Sequence, residues 1–154
     1  MADRQLQRLN RSRLNALRED EYYLRLEPFT LSKKKAKKMR PGDTILLGER
    51  PPALEVARNG KKVASAVPTE GGIRVGPPED EDLIDVSEPK RIRFEGRLGL
   101  LPATASQCGE LLELPWLSLQ AIDLFDEKGR HRAQVTLVVR DEGFAFEILE
   151  LSHG

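Results

Sequence analysis

The spacing of apolar positions changes character near residue 21. Before it, Leu6, Leu9, Leu14 and Leu17 fall within one arc at helical spacing, which predicts an N-terminal amphipathic helix over residues 2–20. Such a helix either packs on its own domain or docks a partner. From Tyr22 onward the apolar residues come in short alternating runs: "YYLRLEP", "DTILLG", "ALEVARNGKKVASAV" and "GGIRVG". This is strand spacing, bounded by turn residues. Asn59-Gly60 separates two such runs and predicts a tight primed hairpin, which needs positive φ at both central residues. Leu54 and Val56 are expected on one face before that turn, with Val63, Ser65 and Val67 continuing the face after it. Glu127-Lys128-Gly129 reads as a second hairpin tip. "QVTLVVR" and "FAFEILEL" are the most β-like stretches and are expected to hold much of the core. The class is mainly β.

Between the two halves lies "GPPEDEDLIDVSEPK", rich in proline and acids, which reads as an exposed connector or as one burying a short edge strand at Leu83, Ile84 and Val86. The predicted boundaries are 1–20 for the helix, 21–76 for a first module, 77–90 for an acidic linker and 91–154 for a second module. The two modules repeat one another. Gly42, Gly60 and Gly72 in the first match Gly109, Gly129 and Gly143 in the second at nearly constant separation. Each module reads as a strand, a short helical segment, a Gly turn, a strand, a hairpin and a last strand.

The most charged stretch is "LSKKKAKKMRPGD". Lys33, Lys34, Lys35, Lys37, Lys38 and Arg40 are either the solvated side of a short helix, a nucleic-acid patch, or a docking site for an acidic partner. Ser32 is placed to cap a helix from Lys33 to about Met39, with Leu31, Ala36 and Met39 as its apolar contacts. The matching segment of the second half, "PATASQC", has no lysine, so the position belongs to the fold and the charge is local. No aromatic lies in the run to stack bases.

Composition narrows the function classes. The chain has 154 residues, with 25 basic and 25 acidic side chains, so there is no global attraction to nucleic acid or anionic membrane. The single cysteine, Cys108, permits no internal disulfide and suits a reducing compartment, where it is expected to be a small, semi-buried residue. No signal peptide and no membrane-spanning apolar run are read, and a soluble cytoplasmic protein is expected. His131 and His153 are the only histidines and are expected to be exposed. No metal-ligand spacing, phosphate loop or nucleophile motif is found, so neither an enzyme nor a cofactor is expected. The "EDED" at 79–82 reads as solvated linker rather than a cation site.

The residues "KKMRPGDTILL", "LEVARNGKKVASA" and "GGIRV" resemble the SPOA domain of the flagellar switch proteins FliN and FliM and of the SctQ cytoplasmic-ring subunits of type III secretion systems. In the second half, "FEGRLGLLPATASQCGELLEL", "LQAIDLFDEKGRHRAQVTLVV" and "EGFAFEILEL" carry the same resemblance. Departures are Glu110 where Asp is usual, and Ser65 or Ala66 and Ala133 or Gln134 where the family often has Gly. The resemblance implies two tandem SPOA-like β modules that pair as an intertwined pseudo-dimer, within one chain or swapped between two. A lone module of roughly 60 residues buries little core, and pairing answers that. It also implies a non-catalytic scaffold of a flagellar or type III secretion export apparatus, in the cytoplasm at the inner-membrane base. The implied partners are the ATPase regulator or stator subunit and other ring subunits, with homo-oligomers or heteromers with isolated SPOA modules. Neither nucleic acid nor direct membrane insertion is implied. Trp116 and Leu117 are candidate partner-binding anchors, against the alternative that Trp116 plugs its own core. Leu6, Leu9, Leu14 and Leu17 form the second candidate surface. The alternative function is a nucleic-acid-binding β-barrel using the Lys33–Arg40 run.

Overall fold

The computed structural model describes residues 17–18, 20–79, 90–115 and 117–152. The helix expected over 2–20 lies almost entirely outside them. Its last arc residue, Leu17, is half-buried and in no regular element. Among the described residues the chain is mainly strand: β1 (Tyr22–Ser32), β2 (Thr44–Gly48), β3 (Leu54–Arg58), β4 (Lys61–Thr69), β5 (Gly72–Pro78), β6 (Arg91–Leu100), β7 (Leu111–Leu112), β8 (Ile122–Asp126), β9 (His131–Arg140) and β10 (Gly143–Leu151). One short helix, α1 (Lys33–Lys37), and a 3₁₀ turn, Ala103–Ser106, complete it. No helix among the described residues is long and apolar enough to cross a membrane.

Two compact units form, and they cut across the sequence halves. Unit one gathers residues 17–26, 53–79 and 97–117; unit two gathers 27–52, 90–96 and 118–152. In unit one the strand order is β1-β3-β4-β5-β7, and in unit two it is β2-β10-β9-β8-β6. Every pairing whose register is described is antiparallel. Thus β7, from the second half of the sequence, completes a unit built on β3, β4 and β5. Correspondingly β2, from the first half, completes a unit built on β8, β9 and β10. The long strands β1 and β6 each give one end to each unit.

The same glycine-turn clamp closes both units. In unit one Gly109 donates its N–H to the Val75 carbonyl at 2.7 Å, and Val75 donates to Glu110 at 2.9 Å. In unit two Gly42 donates to Ile148 at 2.7 Å, and Ile148 donates to Asp43 at 2.8 Å. Gly72 and Gly143 open β5 and β10 at matching places. A Cβ on Gly72 would stand 1.9 Å from the Leu112 carbonyl oxygen, and one on Gly143 would stand 2.3 Å from that of Gly48. These two glycines let the edge strand supplied by the other half approach closely.

Three local expectations are corrected. The hairpin forms at Asn59-Gly60 with φ of 53° and 75°, as a primed turn requires. Its register then slips by one residue: Ala57 faces Lys62, but Val56 faces Ala64. This bulge exchanges the faces of β4, because side chains alternate with period two. Ala64 and Ala66 therefore enter the core, Val63 and Ser65 are half-buried, and Val67 is exposed. The strand β5 runs through Pro78, and Glu79 donates its N–H to the Val63 carbonyl, so pairing persists into the span expected to be linker. β1 does not alternate. Tyr23, Leu24, Arg25 and Leu26 are all buried, because this stretch is covered on both faces.

In unit one Tyr23, Leu24, Leu26, Val56, Ala64, Ile73 and Val75 are among the buried apolar side chains. In unit two the Phe29 ring meets both Phe94 and Phe146, each at a centroid distance of 5.7 Å. Ile122, Leu124, Val135 and Ile148 are fully enclosed there. Large aromatic and β-branched side chains dominate the burial that drives folding.

Candidate interaction surfaces

Several charged side chains are held inside the units by hydrogen bonds and ion pairs. In unit one Arg25 is fully buried and donates through Nε to Glu55 Oε1 at 3.0 Å and through Nη1 to the Gly60 carbonyl at 3.0 Å. It thereby ties the hairpin tip to β1. Lys62 continues this network to Glu55 and Glu79. The hydrogen bond with Glu79 raises the Lys62 pKa; burial opposes that, and the Glu55 and Glu79 charges add to it. Arg97 lies over the Tyr23 ring at 5.0 Å.

In unit two Asp126 organises the second hairpin. Its Oδ1 accepts from the Lys128 and Arg130 N–H groups at 2.9 and 3.0 Å, and its Oδ2 accepts from Arg132 at 3.2 Å. Burial pushes the Asp126 pKa up, but these hydrogen bonds and the Arg130 charge outweigh it and hold the carboxyl below its ordinary value. His131 is not the exposed tip residue expected. It is half-buried, its Nε2 lies 2.9 Å from Asp123 Oδ1, and its ring meets Phe125 edge-on at 5.3 Å. Cys108 is exposed rather than semi-buried. His153 lies outside the described residues. Among the described residues no group of three His, Cys, Asp or Glu side chains is arranged to hold a metal. Of the "EDED" acids, only Glu79 is described.

The candidate partner-binding residues are distributed unevenly. Trp116, Leu6, Leu9 and Leu14 lie outside the described residues. Leu117 is half-buried and donates its N–H to the Leu114 carbonyl. The basic run folds as anticipated at its start and stops early. Ser32 caps α1 by accepting from the Lys35 N–H at 3.1 Å, and the helix ends at Lys37 rather than Met39. Only Ala36 is buried; Lys33, Lys34, Lys35, Lys37, Lys38 and Arg40 are all exposed.

One surface escaped the sequence reading. On β4, β5 and β7, Val67 faces Arg74 and Arg74 faces Leu111. Directly opposed residues share a face, so these three form one row across unit one. Val67 is 54% exposed and Leu111 is 42% exposed, and Arg74 between them is exposed as well. The Arg74 guanidinium is fixed by donation to the Gly109 carbonyl at 2.8 Å. The hydrogen-bond clamp identifies the corresponding row of unit two as Thr136, Glu147 and Thr44. That row is polar, and Glu147 is engaged by Arg140 at 3.4 Å. The same place in the fold therefore carries exposed aliphatic side chains in one unit and threonines in the other. The signal was lost because the bulge in β4 had to be known before Val67 could be assigned outward.

No protein-family model matches the chain, and no curated protein matches it significantly.

Proposed function

We propose that the chain is a non-catalytic docking scaffold of SPOA type, a component of the cytoplasmic ring of a type III secretion or flagellar export apparatus. The observation that carries the docking role is the Val67–Arg74–Leu111 row. Two exposed aliphatic side chains flank a guanidinium held in a fixed orientation by Gly109. Such a row fits an amphipathic segment that offers apolar side chains around a carboxylate. The matching Thr136–Glu147–Thr44 row indicates that the fold does not itself require apolar residues there. The SPOA reading is supported by the exchange of edge strands between the halves, which is what intertwined tandem modules would produce. In this reading the partner is the regulator of the export ATPase or a neighbouring ring subunit.

The test is affinity capture from the native bacterium after nuclease treatment, comparing the unaltered chain with Val67→Asp and Arg74→Glu. The expected result is recovery of export-apparatus subunits by the unaltered chain and their loss in both variants. Absence of such subunits from the unaltered capture, or equal recovery by the variants, would overturn the reading.

A further inference from the structure

The basic helix α1 lies in unit two, while the Val67–Arg74–Leu111 row lies in unit one. All six cations of the run are exposed, and among the described residues none forms an ion pair with a carboxylate. Like charges this close repel one another weakly, and an external anion would relieve that repulsion. The fold does not demand the charge. The corresponding 3₁₀ turn, Ala103–Ser106, buries Ala105 much as α1 buries Ala36, and it carries no basic residue.

The geometry points to the chemistry of the anion. At about 100° per residue, Lys33, Lys34, Lys35, Lys37 and Lys38 fan over roughly half of the helix circumference. Diverging cations do not converge on a single carboxylate or phosphate. They suit a broad surface of distributed negative charge. Two exposed aliphatic side chains belong to the same unit, one next to a residue bonded to the turn that leaves the helix and one on the strand that the turn leads into. Leu149, 43% exposed, follows Ile148, whose carbonyl accepts from Gly42. Leu46, 59% exposed, lies on β2, which begins at Thr44. The run carries no aromatic to stack on bases, and the Ser32 hydroxyl is already engaged by the Lys35 N–H. Cations beside aliphatic side chains match anionic headgroups above an acyl layer better than they match a nucleic-acid backbone.

We infer that α1 and the turn after it, with Leu149 and Leu46 of the same unit, form a peripheral binding surface for an anionic lipid bilayer, through Lys33, Lys34, Lys35, Lys37, Lys38 and Arg40. Attachment is electrostatic and shallow, with no segment inserted across the bilayer. It does not depend on the docking function of unit one.

The experiment is co-sedimentation of the full chain with vesicles of equal parts phosphatidylglycerol and phosphatidylcholine, beside vesicles of phosphatidylcholine alone. Binding to the anionic vesicles is expected, with no binding to the neutral ones and release on raising the salt. Each single Lys→Gln change in the run is expected to lower partitioning about fivefold, as a surface lysine contributes about 1 kcal/mol. Leu149→Asn is expected to weaken binding without changing its salt dependence. The lysines are exposed, so the variants should keep the unaltered circular dichroism spectrum and melting temperature. Failure to bind anionic vesicles at low salt would overturn the proposal. So would equal binding to neutral vesicles, or tighter binding to duplex DNA abolished by the same Lys→Gln changes.

Discussion

Gly72 and Gly143 do equivalent work at the first residues of β5 and β10. Each admits the backbone of an edge strand from the other sequence half, at a distance no Cβ tolerates. Gly72→Ala is expected to destabilise the protein by about 2 kcal/mol or more, through displacement of β7. Gly143→Ala should cost at least as much, because its φ of 124° adds backbone strain. Urea denaturation measures both, and unchanged midpoints would contradict the close approach. Asp126 supplies a pH-dependent contribution. Its folded pKa is depressed, so the stability it contributes is complete above its ordinary value of 3.8 and is lost as pH falls through the lower folded value. Asp126→Ala should cost about 2–4 kcal/mol at neutral pH, since it strands two N–H donors and removes the acceptor of Arg132. It should also flatten the acid limb of the stability profile below pH 3.8. Equal acid sensitivity in variant and parent would assign that limb elsewhere. At this scale Asn59 and Gly60 were legible, because a primed turn has few chemical solutions. Arg25 was not, because its burial depends on Glu55 and the Gly60 carbonyl, which lie far along the chain.

Strands were legible as elements because alternation and β-branched residues mark them locally. Their faces were less so. The bulge between β3 and β4 reverses which residues point inward, and no local propensity announces it. This yields a direct comparison. Val67→Ser should change stability by less than about 0.5 kcal/mol, whereas Ala66→Leu should cost about 1–3 kcal/mol through overpacking. The reverse order in thermal denaturation would restore the face expected from simple alternation. β7 illustrates the other limit. "ELLELP" reads as a strand, yet only Leu111 and Leu112 pair, since the edge is short and its partner β5 comes from the other half. The helix α1 could be foreseen from Ser32 and Ala36. The Val67–Arg74–Leu111 row could not, since three strands must first be set in register.

The repeated glycines revealed two halves, but which half completes which unit is a property of the whole molecule. Clamps at Gly42 and Gly109 show each half finishing the sheet of the other, and β1 and β6 each run from one unit into the other. A lone half lacks the edge strand and one strand end that its unit needs. Small modules bury too little surface to tolerate such losses. The proposed scaffold role rests on this interleaving, since the proposed docking row takes Val67 and Arg74 from one half and Leu111 from the other. The decisive measurement is therefore cleavage of the intact chain at a protease site placed between Glu79 and Lys90, followed by size-exclusion chromatography under native conditions. The interleaving predicts that both fragments elute together at the uncleaved mass and unfold in a single transition. Fragments that separate, each folded and eluting at its own mass, would contradict it.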